Sequence, residues 1–316
     1  MNTQAENRQP KVKPRSQAEK SVDQGFIWLT RIFALAVAGI LLWIAIQVAI
    51  QAMPAIQKFG SSFLAKSAWN PVNNDYGVLP QVYGTLVSAF IGLLIAVPIG
   101  IGTAVLLSES LLPSSVRTVL VFLVEILAAI PSVVYGIWGI FVLVPLTTAV
   151  GKWLNAYLGW VPIFSTPPTG PGMFPAGVIL AIMTLPIITA ISRDALISVP
   201  PSLRQAAMGL GATRWETILK VIIPAAFSGI MSAIMLALGR AMGETMAVTM
   251  IIGNANVINA SIFAPANTIS SLLANQFAEA SGLQVSALMY AALVLFFLTL
   301  IVNILAELIV LRVKRL

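Results

Sequence analysis

Long apolar stretches separated by short polar ones run through the chain from residue 26 onward. A helix rises about 1.5 Å per residue, so about 20 apolar residues cross a bilayer core about 30 Å thick. Six stretches are long enough. The pattern therefore predicts an all-α membrane protein with six transmembrane helices, at 26–53, 82–108, 118–150, 173–192, 221–253 and 283–306.

The first stretch has two interpretations. It follows a basic segment, as the apolar part of a signal peptide does. However, the run 32–53 is longer than the about 7–15 residues usual in a signal peptide. We interpret it as an uncleaved first transmembrane helix.

The polar segments predict the topology. Residues 1–25 and 312–316 are basic and are expected to form cytoplasmic tails, the first of them disordered. Outer loops are predicted at 54–81, 151–172 and 254–282, and the text NTISSLLANQFAEA in the last one favours a short helix. Fourteen lysines and arginines fall on the side of the termini and three on the other, with one arginine between them. The positive-inside rule then puts both termini and segment 193–220 in the cytoplasm.

Composition narrows the function classes. Of the 316 residues, 58% are hydrophobic and 9% are charged, against about 25% charged in soluble domains. The chain has no Cys and no His, which excludes thiol chemistry, disulfides and imidazole bases and disfavours zinc sites. The net charge of +7 follows from the topology and does not indicate nucleic-acid binding. We expect membrane lipid around the chain, and no catalytic residue, cofactor or metal site within it.

Two charged residues lie inside the fifth stretch, in LALGRAMGETMAVTMIIG. Charges within the membrane are costly and usually face the bundle interior or a water-filled path. Arg240 and Glu244 could form an ion pair one helical turn apart. Alternatively, Arg240 presents its planar donors to an oxyanion in transit, and Glu244 modulates it. We favour the second interpretation. Glu125, in the third stretch, either lines the same path or pairs within the bundle.

The cytoplasmic segment 198–224 is more ordered than a simple connection requires. Two short helix-forming runs meet at glycines, which predicts a projecting knob. Its text resembles the EAA loop of permease subunits of ABC importers: Glu-Ala-Ala, three residues, Gly, nine residues, then Ile-x-Leu-Pro. The matching positions are Gln205, Ala206, Ala207, Gly211 and Pro224, with Gln in place of Glu.

This resemblance implies that the loop docks on a separate cytoplasmic ATPase and couples ATP hydrolysis to the helices. The chain has no phosphate-binding loop of the G-x-x-x-x-G-K-[ST] type. ATP and Mg are therefore expected on the partner.

Three further stretches resemble, more narrowly, a permease subunit of the bacterial phosphate-specific ABC importers: EILAAIPSVVYGIWG (125–139), GRAMGETMAV (239–248) and LANQFAEA (273–280). The resemblance implies a type I importer (MetI-like) permease fold with its core in 82–311, in the bacterial inner membrane. It also implies three partners, namely a second homologous permease subunit, an ATPase dimer and a periplasmic phosphate-binding protein. The family's residues for phosphate passage map onto Arg240 and Glu244.

Two alternatives stay open. The first is a permease of the same fold for another oxyanion, such as sulfate or molybdate. The second is a secondary anion carrier or channel that needs no ATPase. The EAA-like loop argues against the carrier, which has no use for it, but it does not separate the oxyanions.

Overall fold

The computed structural model describes residues 17–109 and 111–313. Most of that part of the chain is helical. Its helices, numbered α1 to α14, are Gln17–Phe59, Ser62–Ala65, Leu79–Ser108, Ser114–Ala129, Ser132–Trp138, Val144–Leu158, Met173–Ile197, Pro201–Gly209, Arg214–Thr217, Ile223–Ala225, Phe227–Gly243, Met246–Ile251, Ile269–Gln276 and Leu283–Val313. Single π-turns at Gly139–Leu143 and Ile218–Ile222 continue α5 and α9, and a 3₁₀ turn covers Pro162–Phe164.

The chain divides into two units, residues 1–50 and 51–316. The first contains most of α1, whose described side chains are nearly all exposed. α1 begins at Gln17, so residues 17–25, which we predicted to be disordered, are helical. Their text, QAEKSVDQG, contains good helix formers and is continuous with the apolar run. The rest of the predicted tail, 1–16, lies outside the described residues, as do 314–316.

Five helices are long and apolar enough to span a membrane, in the ranges Ser21–Phe59, Leu79–Ser108, Ser132–Leu158, Met173–Ile197 and Leu283–Arg312. A bent pair, Arg214–Ala225 and Phe227–Gly243, gives a sixth if it counts as one span. The two parts meet at 67°. The six predicted stretches thus correspond to five single helices and one bent pair within the described residues.

The third predicted span, 118–150, is interrupted. α4 ends at Ala129, and Ile130 and Pro131 are both extended, with ψ of 127° and 141°. Proline lacks an N–H and disfavours helical geometry at the residue before it. The apolar run therefore forms two elements, and the part long enough to span is Ser132–Leu158. It includes Trp153 and Tyr157, which we predicted in an outer loop.

α3 and α7 pack at very short range. A Cβ at Gly92 would lie 2.9 Å from Leu180 Cβ and 3.2 Å from the carbonyl oxygen of Gly177. A Cβ at Gly100 would lie 2.8 Å from Ile188 Cγ2. Small residues allow helix backbones to approach in this way in membranes. The close fit makes α3 and α7 one rigid pair.

The loops predicted on the outer side contain a hairpin that the sequence pattern did not indicate and a helix that it did. Strands β1 (Trp69–Asn70) and β2 (Asp75–Tyr76) form an antiparallel hairpin. Phe63 stacks on Tyr290 of α14 with ring centroids 4.4 Å apart. The short helix expected in 254–282 is present as α13, and its first residues are buried. These contacts fix the loops to the ends of α3 and α14.

Candidate translocation site and coupling loop

The chain breaks between Arg240 and the helix that follows it. α11 ends at Gly243, Glu244 is extended with φ −65° and ψ 126°, and α12 starts at Met246. Glycine ends helices readily. The Glu244 carboxylate then accepts a hydrogen bond from the N–H of Ala247, at 3.4 Å, in the first turn of α12. Glu244 therefore stabilises the start of the new helix.

Arg240 is exposed in this chain and makes no ion pair and no hydrogen bond with any described residue. The interpretation of Arg240 and Glu244 as an ion pair on one helix is wrong, because the helix ends between them. Arg240 does lie within electrostatic reach of Tyr135 on α5. The guanidinium is thus left with its donors available.

Arg240 lines a groove of about 880 Å³ between α11 and α14. Ser232 and Gly239 lie on the same face of α11, and Asn303 and Glu307 contribute from α14. Asn303 was missed in the sequence, although an amide in an otherwise apolar span was a usable signal. Its Oδ1 is buried and has no hydrogen-bond partner in the part of the chain that the structure describes. The groove therefore combines one arginine, one carboxylate and neutral donors on apolar walls.

The break between α4 and α5 at Pro131 lies beside the break between α11 and α12 at Glu244. The Tyr135 hydroxyl donates to the carbonyl of Leu127 at 2.8 Å and so bridges the interruption at Pro131. Beyond the breaks α5 packs on α12, where a Cβ at Gly136 would lie 3.3 Å from Ala247 Cα. Two interrupted spans thus meet next to Arg240. Irregular backbone at membrane depth is tolerated where it is buried in protein or lines a cavity.

Glu125 pairs with no residue of the bundle that the structure describes. It lies on α4, before the break at Pro131, is exposed, and has no hydrogen bond or ion pair with a described residue. No residue of α4 is buried in this chain. The structure therefore removes the pairing interpretation and leaves a role for Glu125 in the path as a prediction.

The knob predicted at 198–224 has the two helices expected of it. α8 ends at Gly209, and Gly211 has φ +85°, a conformation that favours glycine. α9 starts with a capping box in which Thr213 and Glu216 each accept from the other's backbone N–H. The Thr213 N–H and hydroxyl, which both donate to the Glu216 carboxylate, and the Lys220 ammonium lower the pKa of Glu216 below its usual value. Glu216 is therefore ionised at neutral pH and holds the turn in one conformation.

The residues of the EAA-like pattern are accessible on this knob. Gln205, Ala206 and Gly211 are exposed, and Ala207 is half-buried. Pro224 is exposed in α10, two residues before the bend at Ala226. The loop therefore presents a surface to solvent at one end and joins the bent fifth span at the other.

One contact of the knob was not visible in the sequence. Arg204 on α8 forms an ion pair with Glu109, at 2.7 Å between Nη1 and Oε1, and donates from Nη2 to the carbonyl of Leu196 at 3.0 Å. It thus reaches the ends of both α3 and α7. No group of three His, Cys, Asp or Glu residues that could hold a metal occurs within 17–109 and 111–313.

The fold is shared with solved importers. The chain matches the MetNI methionine ABC transporter with a TM-score of 0.52 at 21% identity, over 75% of this chain and 94% of that one. It also matches a bacterial ABC transporter involved in the import of the acidic polysaccharide alginate, with a TM-score of 0.59 at 15% identity, over 94% and 99%. These similarities show a helical ABC-importer permease fold.

Similar sequences are curated as phosphate permeases. The phosphate transport system permease protein PstC of Haemophilus influenzae is 44% identical over 93% of this chain and 95% of its own length. That of Mesorhizobium japonicum is 45% identical over 90% and 88%. A probable PstC of Methanocaldococcus jannaschii is 38% identical over 80% and 82%.

A family model also matches. The model of the binding-protein-dependent transport system inner membrane component covers residues 96–315, which includes the EAA-like loop and both broken spans. Proteins of this kind are transport subunits and not enzymes. The chain therefore belongs to the family of binding-protein-dependent transport system inner membrane components, as a multi-pass membrane permease.

Proposed function

We propose that the chain is a permease subunit of an ATP-driven importer and that it passes inorganic phosphate along a path containing Arg240. The observation that carries the proposal is the guanidinium of Arg240, which has no hydrogen-bond or ion-pair partner among the described residues and lines a groove beside two broken spans. The names of the PstC relatives support phosphate as the ion.

The chemistry of the groove suits passage better than retention. A guanidinium offers planar paired donors to an oxyanion, and within a membrane it attracts an anion more strongly than in water. Glu307 lines the same groove and opposes an anion, so attraction stays moderate. A transported ion has to leave its site again, and moderate attraction lets it do so. Glu244 has a separate part, as the residue that holds the start of α12 through Ala247.

The partners follow from the same proposal. The exposed knob formed by α8 and α9 docks on a cytoplasmic ATPase dimer, which binds ATP and Mg. A second homologous permease subunit completes the path, and a periplasmic phosphate-binding protein delivers the ion. Both termini and the knob then lie in the cytoplasm, in agreement with the distribution of Lys and Arg.

The test is ATP-driven uptake of phosphate by proteoliposomes that hold the complete importer, with wild type compared to Arg240→Gln. We expect uptake to fall at least about tenfold, the effect of losing about 1.4 kcal/mol of favourable interaction, while assembly and ATP hydrolysis persist. Arg117→Gln is the matched control, because Arg117 is a half-buried arginine of α4 that does not line the groove. Uptake that survives Arg240→Gln would remove Arg240 from the path.

The same vesicles separate the oxyanions. Phosphate, sulfate and molybdate are offered singly, each with a matching binding protein, at equal concentration. Uptake of phosphate alone supports the proposal. Uptake of sulfate or molybdate without phosphate would assign the permease to that ion, and uptake without ATP would identify a secondary carrier.

A further inference from the structure

Asn303 is the one carboxamide of α14 between residues 285 and 312. It lies within an apolar span and lines the same groove as Arg240. A polar side chain inside a membrane is costly, and it is usually kept for a hydrogen bond to a neighbouring helix or for function. Asn303 makes no hydrogen bond with a residue that the structure describes, so its partner has to come from elsewhere.

The two ends of the Asn303 amide have different surroundings. Oδ1 is buried and accepts no hydrogen bond from any described residue. Nδ2 is not among the buried atoms, and it lies 4.0 Å from the position that a Cβ on Gly239 would take. Gly239 lines the groove as well. The amide therefore turns its donors toward the groove and its acceptor toward the protein.

This orientation is costly unless the donors bind a strong acceptor. A buried oxygen without a donor loses its hydrogen bonds to water and gains none within the protein. Hydrogen bonds to an ionised acceptor are roughly twice as strong as neutral ones, so they can offset this loss. No residue in the described part of the chain gives Nδ2 such an acceptor, and an anion in the groove would supply it.

Asn303 and Arg240 can reach the same small anion. The 4.0 Å from Nδ2 to the Cβ position of Gly239 is followed by one Cα–Cβ bond and one step between consecutive Cα atoms. Nδ2 is therefore within about 10 Å of the Cα of Arg240. An extended arginine side chain covers most of that distance, so both groups can contact one tetrahedral oxyanion.

We propose that Asn303 is a second residue that contacts the transported oxyanion, and that its Nδ2 donates to an oxygen of the ion that Arg240 holds. Arg240 supplies the charge, and Asn303 supplies a directed hydrogen bond. The amide is neutral, so it orients the ion without adding to the attraction that has to be overcome on release. The inference rests on the proposed function, because the groove has to carry the ion.

The first measurement is ATP-driven phosphate uptake by proteoliposomes with the complete importer and saturating phosphate-binding protein. Asn303→Leu keeps the branched shape of the side chain and removes its donors. We expect uptake to fall at least about tenfold, the effect of losing one hydrogen bond to a charged group. Thr299→Val is the matched control, because Thr299 lies one turn away on α14, donates to its own helix at Phe296 and does not line the groove.

Thermal unfolding of the same complexes separates contact with the ion from a structural role. Leucine replaces a buried acceptor that has no donor, so Asn303→Leu should unfold at the wild-type Tm or above it. If Asn303 instead held α14 in place, its replacement would lower the Tm together with uptake. That joint loss would overturn the proposal.

The third measurement detects the ion itself. The ³¹P NMR line width of inorganic phosphate is recorded with the detergent-solubilised complete importer, without binding protein. The part of the broadening that Arg240→Gln removes is the contribution of the groove. Asn303→Leu should reduce this part, and Thr299→Val should leave it unchanged. Absence of any such part in wild type would overturn the contact.

Asn303→Asp tests which end of the amide meets the ion. The substitution keeps the shape and replaces the donors by a second oxygen, which repels an anion. We expect less uptake and less broadening than in Asn303→Leu. Uptake and line width close to wild type in Asn303→Asp would make Asn303 an acceptor for Arg240, contrary to the proposal.

The outcomes also separate this inference from the proposed function. Uptake that survives Asn303→Leu but not Arg240→Gln would overturn the Asn303 contact and leave the proposed function standing. Loss in Asn303→Leu with survival in Arg240→Gln would remove Arg240 from the path and keep Asn303 in it. If wild type imports sulfate or molybdate instead of phosphate, the proposed ion is refuted, and the same variants test the contact by uptake of that ion.

Discussion

The close packing of α3 on α7 predicts that one alanine substitution is harmful and another on the same helix is not. Gly92→Ala would bring a Cβ to 2.9 Å from Leu180 Cβ and 3.2 Å from the Gly177 carbonyl oxygen. Neither atom is the end of a flexible side chain, so the two helices would have to separate. Gly102→Ala meets nothing within 4 Å.

The magnitude follows from the difference between the two variants. Overpacking of a core costs about 1–3 kcal/mol. Alanine is about 0.8–1.0 kcal/mol better than glycine within a helix, and this gain is common to both positions. It cancels in the comparison. We therefore expect Gly92→Ala to be about 1–3 kcal/mol less stable than Gly102→Ala.

Thermal unfolding in detergent measures the effect. For a chain of this size 1 kcal/mol corresponds to a shift in Tm of about 2–4 °C, so the two variants should differ by roughly 2–12 °C. Gly92→Val should be worse than Gly92→Ala, because its extra methyl groups enter the same contact. Equal Tm values for Gly92→Ala and Gly102→Ala would refute the short approach of α3 to α7.

Two further predictions concern the functional regions. Gly211→Ala places a side chain at φ +85°, at a cost of about 1–2 kcal/mol, and should weaken retention of the ATPase on membranes about fivefold or more. Gly209→Ala is the control, because Gly209 lies at the helical end of α8 with open space around it, and it should leave retention unchanged. Equal retention in the two variants would argue against the turn as a fixed element. Glu244→Gln keeps an oxygen that accepts from Ala247 and removes no partner of Arg240, so uptake should fall less than in Arg240→Gln; an equal loss would mean that the two residues act as one unit.

Several features of the protein were open to prediction from the chain alone. The local sequence was enough to predict the six apolar stretches, the two helices of the knob, the short helix in the last predicted outer loop and the unusual position of Arg240. The interruption at Pro131 also had a local signal, because proline disfavours helical geometry before it. The run 118–150 was nevertheless predicted as one span, since hydropathy does not register a break of two residues.

The remaining features had no local signal. Nothing in the amino-acid sequence around Glu244 indicates that the helix ends there, since Gly243 is one of many glycines in the spans. The pairing of Arg204 with Glu109 joins two residues that are far apart in the sequence, one on α8 and one at the end of α3. The groove needs α11 and α14 side by side before Asn303 and Glu307 can share it with Arg240.

The sequence by itself determined which segments are apolar enough to lie in a membrane. It also determined the family resemblance of the EAA-like loop and the presence of an arginine within an apolar segment. Hydropathy and spacing are properties of a single segment, so they can be read along the chain. The tertiary structure decided that Arg240 pairs with no described residue, that Glu244 precedes a new helix and that Arg204 contacts the ends of α3 and α7. Which polar groups meet depends on which helices pack together, and short contacts between glycines and bulky residues on different helices govern that choice.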